Sequence, residues 1–189
     1  AALKVLASAG CEIVEIDVPE LRYAAMTSMM TSSAESAGIN RRWFYERHQD
    51  YVPHVARGIA VGMTITASEY LTVQRARQRI REAVRAAYEN VAIIATPTTS
   101  RVAPLLSEGL KGNGDDTRHA SYNHSNLLRL PSMLGLPGCS LPIGISPEGM
   151  PIGMQLIGSW FADQTVLNTA LAYQNDTDWH TQRPALVNG

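Results

Sequence analysis

The sequence predicts an α/β fold in which helices cover a β-sheet. Three observations carry this expectation. A long amphipathic helix opens at Thr66-Ala67-Ser68-Glu69, a pattern in which Thr66 and Glu69 can satisfy each other's backbone N–H groups. A continuous apolar run, Val91 to Ala95, comes after it and suits a strand buried on both faces. Two further strand-like runs, Gly138 to Ile143 and Ile152 to Ile157, then precede a closing helix.

The elements are taken in order. Ala2 to Ala9 reads as the end of a helix closing on Gly10, which can take the left-handed conformation of a helix cap. A chain that opens inside a helix, without Met, is expected to be a piece of something longer. Glu12 to Val18 alternates partly and carries β-branched residues, so a strand is expected there. Pro19 begins the next element. Residues 20 to 37 suit a helix, with Met26, Met29 and Met30 as soft core filler. Trp43, Phe44 and Tyr45 read as helical, and Pro53 and Gly58 punctuate the stretch up to residue 65.

Beyond the capping box, Tyr70, Val73, Ile80, Val84 and Ala87 form one apolar stripe, and the helix should run to about Glu89. Arg75, Arg77, Arg79, Arg81 and Arg85 occupy the remaining face. Residues 107 to 117 hold three glycines and the pair Asp115 and Asp116, the composition of a mobile surface loop. A helix is expected from about His119 to Leu130. Ser146-Pro147-Glu148-Gly149 carries turn chemistry between the last two strands. Asp163 is expected to cap the final helix, with Val166, Leu167, Ala170 and Leu171 facing inward.

Length and charge narrow the function classes. The 189 residues fit one domain, and a hydrophobic fraction of 45% supplies an ordinary core. Net charge is -1, so no global basic field exists to hold nucleic acid or an acidic membrane. No apolar run reaches bilayer-spanning length, and no signal peptide is visible. Cys11 and Cys139 are far apart and outside any CxxC pattern. Two such thiols point to a reducing cytoplasm.

Four segments, in order, resemble the C-terminal half of the amidase-signature family. Val91 to Thr99 (VAIIATPTT) resembles its buried strand ending in Thr-Pro-Thr. Gly135 to Gly144 (GLPGCSLPIG) resembles its Gly-Leu-Pro-x-x-Ser-x-Pro-x-Gly segment. Glu148 to Gly158 (EGMPIGMQLIG) resembles its Gly-x-Pro-x-Gly-x-Gln-x-x-Gly strand pair. Asp178-Trp179-His180 with Pro184 resembles its tail, and Ala2 to Pro19 also fits. The resemblance implies a mixed β-sheet covered by helices on both faces, with residues 1–189 forming the C-terminal part of a single amidase domain. It implies amide hydrolysis by acyl transfer, without a cofactor or a metal. The family's apparatus is a serine nucleophile on a glycine-serine-rich loop, a second serine in a cis peptide, and a lysine base.

That apparatus is expected before residue 1. No Gly-Gly-Ser-Ser-Gly-Gly-like stretch occurs in this sequence, and its only lysines are Lys4 and Lys111. A hydroxyl without a positioned base is a poor nucleophile at neutral pH. No catalytic residue is therefore assigned within the chain.

Other candidates have simpler readings. Thr31 to Ser36 is a hydroxyl cluster without glycine, which reads as a polar helix face rather than a nucleophile loop. Cys139 with His124 could form a thiol hydrolase, but Cys139 lies in a core-like strand where a thiol is inert. His119 and His124 beside Asp115 and Asp116 lack helix-borne metal spacing, so a solvated loop is preferred. The five-arginine helix could grip phosphates, but Glu69, Glu82 and Glu89 dilute it, and a solvated face is preferred.

The resemblance places a substrate pocket at Thr96, Thr98, Tyr122, Ser125 and Arg129. The opposing reading of residues 123 to 129 is a helix that merely packs on the sheet. In the branch that amidates misacylated tRNA, an acidic residue usually comes shortly after the tyrosine matching Tyr122. Here the place belongs to Ser125, a departure from that branch. The leading expectation is thus an amidase acting on a small-molecule amide. This chain would supply scaffold and pocket wall, and would pair with a missing N-terminal half, another protein chain, or copies of itself. The alternatives are a degenerate, non-catalytic binding module and one subunit of a tRNA-dependent amidotransferase. Neither nucleic acid nor a membrane is an expected partner of the leading reading.

Overall fold

The computed structural model describes residues 1–103 and 126–183. Helix α1 spans Ala2–Ser8. A short 3-10 turn, Pro19–Tyr23, leads into α2, Ala24–Arg47, and α3 spans Pro53–Thr64. Helix α4 spans Ala67–Ala87 and is succeeded by strand β1, Ile93–Pro97. Helix α5 spans Asn126–Leu134, β2 spans Gly138–Ile145, β3 spans Pro151–Gly158 and α6 spans Asp163–Asn175. The glycine-rich segment 107–117, Lys111, His119, Tyr122, His124, Ser125 and Pro184 lie outside the described residues.

The three strands form one sheet in the order β1-β3-β2, and both pairings are antiparallel. The α/β class holds, and helices lie on both faces. On one face, Ile94 and Ile157 join Ile80 and Val84 of α4 and Leu130, Met133 and Leu134 of α5. On the other, Leu141, Met154 and Leu156 join Leu6 of α1 and Val166, Ala170 and Tyr173 of α6. Because β3 is central, its residues from Met154 to Gly158 are all buried.

Local chemistry explains several boundaries. Pro53 occupies the first position of α3, where its missing N–H costs nothing. The capping box at Thr66 forms as the sequence predicts: Thr66 N–H donates to Glu69 Oε2 at 2.8 Å, and Glu69 N–H donates to Thr66 Oγ1. The Thr66 N–H donation, and a second from Thr66 Oγ1 to Glu69 Oε2 at 2.7 Å, hold the Glu69 carboxyl below its ordinary pKa. Gly149 takes φ 81° in the β2–β3 turn, which closes through Gly149 N–H to Ser146 O at 2.9 Å. Helices α2 and α3 cross in close contact. A Cβ placed on Gly62 would meet Ser33 O at 1.9 Å and Ala37 Cβ at 2.8 Å.

Five expectations are corrected. Residues 12–18 form no strand among the described residues. Their alternation finds no neighbouring strand to bond, and Ile13 and Val14 stay exposed. Strand β1 is not buried on both faces. It lies at the sheet's edge, only Ile94 is buried, and Ala95 is exposed. The methionines of α2 do not fill the core. The buried side of α2 is Ala24, Thr27, Thr31 and Ala37, because close helix packing selects small residues, and Met26 is exposed. Ala162, not Asp163, occupies the cap position of α6, and Asp163 is its first helical residue. Leu167 and Leu171 face outward, since α6 buries its Val166–Ala170–Tyr173 side.

Candidate functional site

The end of β1 gathers polar side chains that an apolar sheet would otherwise lack. Antiparallel register sets Thr96 opposite Gln155 on β3, and Gln155 opposite Ser140 on β2. Residues directly opposite one another share a face of the sheet, so the three form one row. Gln155 is only 4% exposed, so its amide must be satisfied internally. Its Nε2 donates to Thr96 Oγ1 at 3.3 Å and to the carbonyl of Leu127, in the first turn of α5, at 3.1 Å. One side chain therefore ties the strand end to the helix that leads out of residues 122–125.

One step further along, the chain of β1 continues as Thr98. Its N–H donates to Gly153 O at 2.9 Å. Its Oγ1 lies 2.6 Å from Ser140 Oγ. The two hydroxyls meet over β3 because Gly153 has no side chain between them. A Cβ there would stand 2.7 Å from Thr98 Oγ1 and 3.2 Å from Ser140 Oγ. Beside this bridge lies an open cavity of about 540 Å³, walled by Thr98, Ser140, Gly153, Arg101, Pro142 and Ile152 among others.

Of the residues predicted for the site, Thr96 and Thr98 lie at this strand end. Arg129 lies on α5 two residues past Leu127, half-buried and outside the cavity wall. Tyr122 and Ser125 are outside the described residues. Gln155, Ser140 and Gly153 are fixed positions of the resembling motifs but are not assigned to the site from the sequence, and Arg101 is not singled out there at all. Gln155 could have been assigned to it, as the motif's polar residue amid Met154, Leu156 and Ile157.

The competing chemistries fare differently. Cys139 is a free, half-buried thiol whose packing neighbours belong to the α6-side core, and its conceivable partner His124 is not described. The metal reading of His119, His124, Asp115 and Asp116 also lies outside the described residues. On α4, Arg81 and Arg85 lie over the Trp160 ring at 5.3 and 5.6 Å. Arg81 Nη2 also donates to Leu134 O. Part of the arginine face is thus used in packing.

The amidase family model matches residues 1–167. The chain belongs to the amidase family. It is similar to a glutamyl-tRNA(Gln) amidotransferase subunit of Rhodospirillum rubrum, 31% identical over 98% of this chain and 41% of that protein. It is likewise 31% identical to a fatty acid amide hydrolase of Arabidopsis thaliana, over 94% of this chain and 29% of that protein. Among solved structures, 6-aminohexanoate cyclic dimer hydrolase superposes with a TM-score of 0.81 at 20% identity, over 99% of this chain and 42% of that one. An amidase superposes with a TM-score of 0.78 at 24% identity, over 92% and 39%. Both structures share the fold. The chain spans less than half the length of these amidase relatives.

Proposed function

We propose that this chain is part of an amidase that hydrolyses carboxylic amides by acyl transfer, and that it supplies scaffold and one wall of the substrate pocket. The observation that carries the reading is the hydroxyl-and-amide row Thr96–Gln155–Ser140, continued by Thr98, at a strand end in an amidase-family chain. Thr96 at the end of β1 and Thr98 just beyond it form one part of the wall. Tyr122, Ser125 and Arg129 are the further pocket residues of this reading, and Arg129 lies on α5, whose first turn Gln155 ties to Thr96. The attacking hydroxyl and its base come from outside the residues of this chain, because neither a glycine-serine loop nor a lysine in relay spacing with a serine occurs in it.

This reading requires a covering partner: an N-terminal half of the same amidase domain or a separate chain. The exposed apolar side chains support it, with Ile39 81%, Phe161 96% and Leu167 58% exposed. Both outer strands of the sheet also leave an open edge among the described residues. Pairing with copies of itself is the alternative. No described helix is long and apolar enough to cross a membrane. With net charge -1 and two free thiols, we assign neither a nucleic-acid nor a membrane partner, and place the protein in the cytoplasm. The likeness to a glutamyl-tRNA(Gln) amidotransferase subunit keeps a second reading, one subunit of a tRNA-dependent amidotransferase.

The test is an amide panel of aryl, aliphatic and glutamine substrates, offered to the complete assembly and to this chain alone. Hydrolysis by the assembly and none by the chain is expected. Hydrolysis of glutamine alone, dependent on partner subunits, would favour the amidotransferase reading. No hydrolysis by the assembly would sink both enzymatic readings and leave a binding module.

A further inference from the structure

Among the described residues, the cavity at the end of β1 is lined by hydrogen-bond donors and by no acidic side chain. Its polar side chains are Thr98, Thr99, Ser140 and Arg101, and its remaining wall is aliphatic residues, prolines and Gly153. The Thr98–Ser140 bridge uses one of two hydroxyl protons, whichever residue donates. The other O–H is left to donate elsewhere. Thr99 Oγ1 is occupied, donating to the carbonyl of Arg101 at 2.9 Å. Arg101 is the one charged residue among the described residues of the wall. The ion pairs among the described residues are Arg42–Glu46 and Arg47–Asp50, so no described carboxylate neutralises it.

Such a lining suits a ligand that brings acceptors and negative charge on a short apolar chain. A guanidinium offers a carboxylate two parallel N–H bonds, the stronger class of hydrogen bond. A neutral alkyl end would leave the bridge hydroxyl and the guanidinium facing nothing that replaces water. We propose that this cavity is a subsite for a carboxylate on the acyl part of the amide, and that Arg101 with the Thr98–Ser140 bridge determines that preference. The inference rests on the amidase reading and names its substrate class: amides of dicarboxylic acids.

The experiment compares succinamate with butyramide, which differ at the end remote from the amide, in the complete assembly. The readout is the ratio of their kcat/KM values. Wild type is expected to favour succinamate. Arg101→Gln should lower the ratio about tenfold or more, and Arg101→Lys should restore part of it, since charge survives without the planar fork. Ser140→Ala should lower the ratio less, because Thr98 then keeps its own hydroxyl. Arg75→Gln, an exposed change on α4, should leave the ratio alone. Arg101 is exposed, so its replacement does not threaten folding. Equal ratios in wild type and Arg101→Gln would overturn the subsite while the amidase reading stood. Failure of wild type to hydrolyse any amide of the wider panel would overturn the amidase reading, and the subsite with it.

Discussion

Gln155 and Thr96 face each other across the β1–β3 ladder, and their side chains are joined, with Gln155 Nε2 donating to Thr96 Oγ1 at 3.3 Å. The same nitrogen reaches the carbonyl of Leu127. The pair therefore couples a sheet edge to the start of α5. Replacing Gln155 by Leu removes both donations from a buried place and strands Leu127's carbonyl. A loss of about 1–3 kcal/mol is expected. Hydrogen exchange should rise in residues 127–130 more than in α6, which packs on the sheet's other face. Equal exchange changes in both helices would show that Gln155 merely fills space.

The α2–α3 crossing supplies a matched pair of glycine tests. At Gly62 a methyl group would overlap the Ser33 carbonyl, so Gly62→Ala must push the helices apart. Overpacking of this kind costs about 1–3 kcal/mol. At Gly58, in the same helix, nothing lies within 4 Å of an added Cβ. Gly58→Ala should stabilise by up to about 1 kcal/mol through helix propensity. Thermal melts of the two variants should shift in opposite directions. A shift of the same sign would mean that the crossing is looser than the geometry shows.

Tyr88 gives a pH prediction. Burial raises its pKa, because the phenolate would lose water. Its hydroxyl donates to Ile157 O at 3.1 Å, tying the end of α4 to β3. The folded pKa exceeds the unfolded one. The contribution to stability is therefore complete below the unfolded tyrosine pKa and declines as pH rises from there toward the folded value. Tyr88→Phe should cost about 1 kcal/mol at neutral pH through the lost hydrogen bond. It should also flatten the alkaline limb of a stability-versus-pH curve. An unchanged alkaline limb would show that Tyr88 ionises freely in the folded protein.

Features written in contiguous residues were the ones legible in the sequence. Thr66 and Glu69 sit three residues apart, so their capping box and the helix behind it could be read directly. The β2–β3 hairpin was equally plain, with Pro147 and Gly149 marking its turn. Features that depend on distant partners were not. Residues 12–18 alternate like a strand, yet alternation specifies a face and not a neighbour to bond. Leu167 and Leu171 share the helical spacing of Val166 and Ala170, so the pattern of α6 offers two apolar sides and does not say which meets the sheet. The site was half legible. Thr96 and Thr98 stand in a polar tail after an apolar run. Ser140 and Gly153 are visible as motif positions, but their joining to Thr98 emerges only when register brings Ser140 over Gly153, and those three residues are far apart in sequence.

The pocket wall itself is tested at Thr98, Ser125 and Arg129. If these residues shape the acyl side of the site while the reacting groups come from elsewhere, changing them should alter which amide is preferred more than how fast the best amide reacts. Thr98→Val keeps the shape of the side chain and removes the hydroxyl shared with Ser140. Ser125→Ala removes a hydroxyl just before α5, and Arg129→Ala removes a guanidinium on it. In the complete assembly, each should change the ranking of a series of aliphatic and aryl amides by about tenfold between its extremes. KM should carry more of the change than kcat, because the lost contacts are made in the ground state as well as the transition state. Arg129 has a further branch. It is half-buried on a helix that also packs against α2, and it has partners of its own. A variant whose melting temperature falls while its ranking of amides is kept would place Arg129 in the scaffold. If all three variants keep the wild-type ranking, the wall lies elsewhere, and the row at the end of β1 only joins the sheet to α5.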